Sequence, residues 1–327
     1  MLLPAETPRD FLDGPYARFF RPHFEEASPE RPHRVLSLAE IVADDAAALR
    51  AVHDGLTGRG SPPPAASTYL AGWFGGIAAA VTAYAMAAGA GAAFLPRDGG
   101  IAWYFHPAGW TDRVALAEPE VLVPDGHPWT GRPDVTVVAD DAERHRRTVD
   151  ALVTAVEPII AALTRLAKVS RTNLWHEVAD GFASALVYQA QIPVTPEGMA
   201  EVRALIAVPG APWRRKPVIE RIATDWGAVC AMHKAGCCLA YTEPHHADGG
   251  EEHDHDHDHE EDDDHRLFHQ LFPDPPGAPA YCANCRLRPI EDCFERQLWW
   301  RNREHQHRVA AGAPDPLSTV PDAAALG

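Results

Sequence analysis

Six cysteines carry the chemistry of this chain, and all of them, Cys230, Cys237, Cys238, Cys282, Cys285 and Cys293, fall in its last third. Cys282-Ala-Asn-Cys285 is a C-x-x-C loop, whose two thiolates can chelate one metal ion. The adjacent pair Cys237-Cys238, preceded by the flexible Gly236, supplies two further sulfurs. Four thiolates are what an iron-sulfur cluster or a structural zinc requires. Zinc ribbons usually pair two C-x-x-C knuckles, so the vicinal pair favours a cluster, in which neighbouring thiolates go to different irons of a two-iron centre. Cys230 and Cys293 read as small buried hydrophobes. The N-terminal MLLPAETPRDFLDG has no positive region, no continuous apolar run and no small-residue cleavage site. A cytoplasmic protein is therefore expected, with thiols kept reduced for metal or redox work.

Between the two cysteine pairs lies a second set of metal-capable side chains. His253, His255, His257 and His259 alternate with Asp254, Asp256 and Asp258, and His245, His246, His265 and His269 flank them. Imidazoles beside carboxylates suit low-affinity capture of zinc, nickel, copper or iron. The same run cannot bury apolar area, and reads equally as a disordered, solvating loop. Residues 248–264 hold 11 of the 46 carboxylates and no Lys or Arg, so without this segment the net charge of −17 becomes −6. No clustered basic face remains to neutralise phosphates, which argues against nucleic acid as a partner. Nor is there a nucleotide cofactor motif. Gly89-Ala-Gly91 lacks the third glycine of a dinucleotide fingerprint and ends an apolar run instead of joining a strand to a helix, and no P-loop occurs.

The elements that must position these residues are mainly helical. Ser37 and Glu40 form a capping box that opens a helix to about Gly55. Tyr69 to Leu95 is long enough to span a bilayer, yet it consists mostly of Ala and Gly with only Arg97 as a basic flank. It is expected to be a buried core helix, with no stable membrane span. Ile101–His106, Val114–Leu116 and 135–138 read as short strands. Apolar positions at Val149, Leu152, Val153, Val156, Ile160 and Leu163 mark one face of a helix from Asp141 to about Lys168, which Pro158 should kink or divide. Trp175, Val178, Phe182 and Leu186 mark another over Asn173–Gln189. Pro289 reads as the first helical residue before Ile290–His307. The class is α+β: a mainly helical body with a small antiparallel sheet and a C-terminal Cys-rich segment. Its expected divisions are an irregular segment and helix over 1–60, the helical body over 61–236, the metal-binding segment over 237–290 interrupted by a disordered His and acidic loop at 244–280, and a helix and tail over 291–327.

Gly236-Cys237-Cys238-Leu239-Ala240-Tyr241, followed by Cys282-Ala-Asn-Cys285-Arg-Leu, resembles the C-terminal signature of the FhuF-type ferric-siderophore reductases. Tyr69-Leu-Ala-Gly-Trp-Phe-Gly-Gly-Ile resembles that family's tryptophan-bearing apolar helix. Pro158 to Trp175, with Asn173-Leu-Trp-His, resembles its second helical block, and Pro212-Trp-Arg-Arg215 its approach to the cysteines. The likeness covers about residues 60 to 290. The 43 residues between Cys238 and Cys282 form an inserted loop, whose closure cost grows only with the logarithm of its length. The resemblance implies a [2Fe-2S] cluster on Cys237, Cys238, Cys282 and Cys285 and a one-electron reduction that frees ferrous iron from a ferric siderophore. Without a nucleotide site, the electron is expected from a ferredoxin or a flavin reductase. A second reading of the residues is a metal-binding protein with a structural zinc on the four cysteines and a His-rich loop that buffers zinc or nickel. Arg214 and Arg215 either meet an anionic chelate or cap a helix, and no substrate-binding residue is assigned.

Overall fold

The computed structural model describes residues 34–86, 91–96, 100–105, 111–116, 119–187, 195–242, 264, 267–273 and 281–312. A short strand β1 (Arg34–Ser37) runs straight into α1 (Leu38–Gly58), which Ser37 opens as expected. Its hydroxyl accepts from the Glu40 backbone N–H at 3.3 Å, and the Glu40 carboxylate accepts from the Ser37 N–H at 2.8 Å. Where the sequence reads as one helix, α1 is broken at Ala43–Ala46, three of whose residues take positive φ.

The Ala-rich stretch divides in a way its composition does not announce. It forms α2 (Pro63–Ala71), one π turn over Gly72–Gly76, and α3 (Ile77–Ala85), and then reappears as a strand, β2 (Ala93–Leu95). The expected single helix to Leu95 is thus corrected. A fully buried apolar triplet such as Ala-Phe-Leu suits a strand as well as a helix, and Gly91 at φ +62° turns the chain ahead of it. No helix among the described residues is long and apolar enough to cross a membrane.

The fold is α+β as expected, mainly helical with small sheets, though the strands form two three-stranded sheets and a hairpin where one small antiparallel sheet is expected. β3 (Ile101–Phe105) pairs antiparallel with both β1 and β4 (Thr111–Leu116). β5 (Glu120–Pro124) pairs antiparallel with β2 and parallel with β6 (Val135–Val138), so the second sheet is mixed. A separate antiparallel hairpin, β7 (Val218–Thr224) and β8 (Gly227–His233), precedes the first cysteine pair.

The helices α4 (Asp141–Leu166) and α5 (Arg171–Val187) supply the centre of the core. Asp140 caps α4 by accepting from the Glu143 N–H at 2.7 Å. Pro158 does not divide α4. The carbonyl it leaves without a helical donor belongs to Thr154, on the exposed face. Residues Leu174 to Ala183 of α5 are all buried, because α5 is covered on every side. It crosses the π turn closely: a Cβ on Gly181 would lie 2.2 Å from the Gly76 carbonyl oxygen, and one on Gly75 would lie 2.4 Å from Val178. Backbone meets backbone at this crossing, which only glycine permits.

α6 (Pro196–Ile206) is not expected from the sequence. It is capped by the Thr195 hydroxyl, which accepts from Gly198 N–H at 3.0 Å. α7 (Ile290–Ala310) starts one residue after Pro289, which occupies the cap instead of the first turn. Part of the loop expected to be disordered is ordered against α7. Residues 267–271 are helical, Phe268 packs on Trp299 and Trp300 with ring centres 5.3 and 5.0 Å away, and the buried Asp264 accepts from Arg303 Nε at 2.8 Å.

Candidate metal centre

Five hydrogen bonds with three side chains fix the backbone as it leaves β8. The Asp180 carboxylate, on α5, accepts from the N–H groups of Ala235 at 2.7 Å and Gly236 at 2.9 Å. Nearer the start of α5, the Asn173 carboxamide accepts from the Cys237 N–H at 3.0 Å and donates to the Cys237 carbonyl at 2.8 Å, pairing with the backbone as a neighbouring strand would. The Thr68 hydroxyl, on α2, donates to the Cys238 carbonyl at 2.7 Å. Gly236 is required by closeness: a Cβ there would lie 2.5 Å from Glu177 Oε1 and 3.0 Å from Asp180 Oδ2. Immediately after the pair, Leu239 turns the chain at φ +61°. Non-glycine residues rarely accept this conformation unless their surroundings impose it.

The second pair sits on a knuckle closed by a Cys285 N–H to Cys282 carbonyl bond of 3.0 Å. Buried Arg288 holds the knuckle from behind, donating to the carbonyls of Cys282 (3.2 Å) and Tyr281 (2.7 Å) and pairing with Asp292 (3.1 Å). Contacts from the knuckle and from α7 reach the hairpin. Lys234 N–H donates to the Asn284 carbonyl at 3.0 Å, and Gln297 on α7 clasps the Met232 backbone, accepting at 3.0 Å and donating at 2.7 Å. Cysteine pairs separated by 43 residues of sequence thereby meet.

Of the four sulfurs expected to act together, Cys238, Cys282 and Cys285 are linked and Cys237 lies within electrostatic reach of them. The Cys282 thiol hydrogen-bonds with both Cys238 and Cys285, and Cys237 lies close enough to feel the charges of both. Backbone N–H groups point at three of the sulfurs: Leu239 at Cys237, Ala240 at Cys238, and Leu287 at Cys285, the last at 3.5 Å. Hydrogen bonds from Cys282 pull the Cys238 thiol down to about 6 and the Cys285 thiol down to about 7, while Cys282 itself moves up because its proton serves both neighbours. Burial raises Cys237. Cys230 and Cys293 are buried, and burial pushes both up to about 12, as befits thiols outside the group. Cys293 Sγ donates to the Cys285 carbonyl at 3.3 Å and so props the knuckle.

A buried ion group lies beneath the sulfurs. Lys234 Nζ donates to Glu177 Oε2 at 2.7 Å and lies 4.0 Å from Asp180; the three side chains are 13%, 6% and 4% exposed. Burial alone would lower the Lys234 ammonium, but Glu177, Asp180 and the thiols of Cys238 and Cys282 together hold it well above its usual value. Burial pushes the Asp180 carboxyl up to about 7 against the pull of Lys234 and its two backbone donors. These three residues escape sequence reasoning, although one signal is available: Glu177 and Asp180 fall among the apolar positions of α5 and not on a polar face.

Among the described residues, no group of three or more His, Cys, Asp or Glu side chains stands ready to hold a metal ion. The donor set nonetheless fits a thiolate-bound centre, since it offers four sulfurs, amide donors aimed at three of them, and a cation beside them. His253, His255, His257 and His259 lie outside the described residues.

The sulfur chemistry carries an expected result for metal-free protein. Thiolate is the reactive form, and its fraction rises with pH through each folded value. Iodoacetamide labelling of Cys238 and Cys285 should reach half its maximal rate between about pH 6 and 7, below the ordinary thiol value of about 8.5. Cys230 and Cys293 should stay unlabelled until the protein is denatured. Mass spectrometry of labelled peptides reads both. Equal labelling of all six would contradict the grouping.

Beside Cys237 opens a pocket of about 570 Å³, whose wall includes Lys168, Arg214, Arg215 and Arg286 together with Asn173 and His176. His176 Nε2 accepts from the Arg215 N–H at 3.1 Å, and burial, then Arg215 and Arg286, keep its imidazole below the usual value. Lys168 and Arg286 carry no signal in the sequence that would single them out. No protein-family model matches this chain, and no curated protein matches it.

Proposed function

We propose that Cys237, Cys238, Cys282 and Cys285 hold a [2Fe-2S] cluster, and that the protein reduces a ferric siderophore by one electron in the cytoplasm, as its resemblance to the FhuF-type reductases implies. The electron comes from a ferredoxin or a flavin reductase. The observation that carries this reading is the convergence of the vicinal pair and the C-x-x-C knuckle, with backbone amides directed at three sulfurs. When bound, such a cluster supplies one-electron redox chemistry, at a potential governed by hydrogen bonds to its sulfurs and by solvent exposure.

The chain's own residues perform the remaining tasks. Amides of Leu239, Ala240 and Leu287 stabilise negative sulfur, and the Lys234 ammonium offsets part of the thiolate charge while Glu177 and Asp180 hold it in place. Asn173, Thr68 and Asp180 fix the backbone of the first ligand pair, so the sulfurs need little rearrangement on loading. The ferric chelate is the substrate. Hydroxamate or catecholate oxygens hold hard ferric ion far more tightly than ferrous ion, so gain of one electron frees the metal. No general acid, base or nucleophile is needed.

Iron and acid-labile sulfide analysis of anaerobically purified protein, with EPR after dithionite, tests the reading. Two irons, two sulfides and a spin-half signal per chain are expected. A colourless protein holding one zinc would replace the reductase with the structural-zinc alternative. Deleting residues 244–262 should leave the chromophore and remove only secondary binding of zinc or nickel, read by equilibrium dialysis. That deletion stops short of Asp264 and Phe268, which pack on α7.

A further inference from the structure

The pocket next to Cys237 concentrates positive charge, and among the described residues no acid balances it. Its lining contains no carboxylate, and none of Lys168, Arg214, Arg215 and Arg286 is ion-paired among the described residues. Surface cations ordinarily find acidic neighbours, especially in a chain with 46 carboxylates against 29 basic residues. A concave group of four cations with no acidic partner among the described residues is therefore an anion receptor by charge and by shape. His176 adds an independent sign. Its Nε2 accepts from the Arg215 backbone, so a neutral ring carries its hydrogen on Nδ1, and that buried atom has no hydrogen-bond partner among the described residues. The volume of about 570 Å³ falls within the range of about 300–1,000 Å³ typical of small-molecule sites. Cys237, Leu239 and Leu287 form the side of the pocket nearest the sulfurs.

We infer that this pocket docks the ferric chelate and selects chelates of net negative charge, such as tricatecholates, over neutral ones such as trihydroxamates. The inference rests on the reductase reading for the identity of the ligand. Three catecholates leave the ferric complex with three negative charges, whereas three hydroxamates cancel the charge of the metal. Only the first class gains from Lys168, Arg214, Arg215 and Arg286. A chelate seated there abuts Cys237 and its neighbours, so the charge that recognises the substrate also brings it to the metal centre. An acidic face of an electron-donor protein is the other anion that could meet these cations. The concave shape of the pocket favours the small molecule.

Gallium(III) complexes test this apart from electron transfer, since gallium matches ferric ion in charge and size but is not reduced. The full-length protein is titrated with the gallium complexes of a hexadentate tricatecholate and of a trihydroxamate, and binding is followed by calorimetry at low and high salt. The tricatecholate should bind at least about tenfold more tightly at low salt and lose most of that advantage at high salt. Arg214→Gln combined with Arg286→Gln should weaken tricatecholate binding at least about tenfold and change trihydroxamate binding less than about twofold. Arg214→Glu alone, at an exposed position, should produce the same loss without risk to the fold. Equal affinity for the two complexes, or variants that bind like the parent, would overturn the inference even in a protein that holds its cluster. Variants that keep tricatecholate affinity but slow reduction by the donor protein would assign the cations to the donor instead. A preparation lacking iron and sulfide that still selects the anionic gallium complex would keep the pocket and end the reductase reading.

Discussion

Cys282→Ser should abolish the visible absorption of anaerobically purified protein and lower its iron content by more than about tenfold, since loss of a direct ligand exceeds the effect of loss of a supporting group. Cys282 is the sulfur to choose because it occupies the middle of the group, hydrogen-bonded on one side to Cys238, just after the hairpin, and on the other to Cys285 from its own knuckle. A serine hydroxyl stays protonated at neutral pH and is a harder donor than thiolate, so it neither links the two segments nor suits iron in a sulfur-bound centre. Cys230→Ser and Cys293→Ser supply the contrast. Both thiols are buried and held protonated, and their replacement should keep the chromophore. The Cys293 variant should lose about 1 kcal/mol of stability through a weakened prop on the Cys285 carbonyl. Absorption retained without Cys282 and lost without Cys230 or Cys293 would show that the ligands lie elsewhere.

The second large effect is expected far from sulfur. Gly181→Ala should destabilise the protein by about 3 kcal/mol or more, because the added methyl would sit 2.2 Å from the Gly76 oxygen and 2.4 Å from its Cα, with no flexible side chain to yield. The sign makes the test sharp. Helix propensity alone favours alanine over glycine by about 1 kcal/mol, so an exposed helical glycine would show the opposite response. Gly55 in α1 is such a position, where an added methyl would meet nothing within 4 Å, and Gly55→Ala should stabilise by up to about 1 kcal/mol. Chemical denaturation of the metal-free variants measures both. Because α5 also carries Asn173, Glu177 and Asp180, Gly181→Ala should lower metal occupancy in whatever protein still folds. A stable Gly181→Ala variant with full metal content would mean that α5 and the π turn do not cross at these glycines.

Local signals are legible where one residue pattern has one physical solution. Ser37 with Glu40 opens α1, and the apolar positions of α4 face the core. β3, β4 and β6 lie where alternating or β-branched runs place them. The spacing also singles out Cys237, Cys238, Cys282 and Cys285, which the fold places near one another. Elsewhere two solutions share one pattern. Ala93 to Leu95 is as apolar as the helix before it, so its strand reads as helix. In β7, Glu220 and Arg221 interrupt the alternation, and only the turn at Asp225-Trp226 with Gly227 at φ +147° hints at a hairpin. Lys234, Glu177 and Asp180 are invisible for a different reason. A charged residue reads as solvated unless its counter-charge is known, and here the partners lie 54 to 57 positions apart. Arg214 and Arg215 read either way in the sequence because the cations that complete their pocket come from Lys168 and Arg286.

The way Asp180, Asn173 and Thr68 grip the vicinal cysteines has a bearing on how the protein comes to be made. Every one of these gripping groups precedes Cys237 in the chain, so a ribosome releases the cradle before the residues it receives. The knuckle leaves the exit tunnel later, after the acidic stretch. A nascent chain can thus present two sulfurs on a settled support while the other two are still being translated, and the group closes only when Asn284 reaches Lys234.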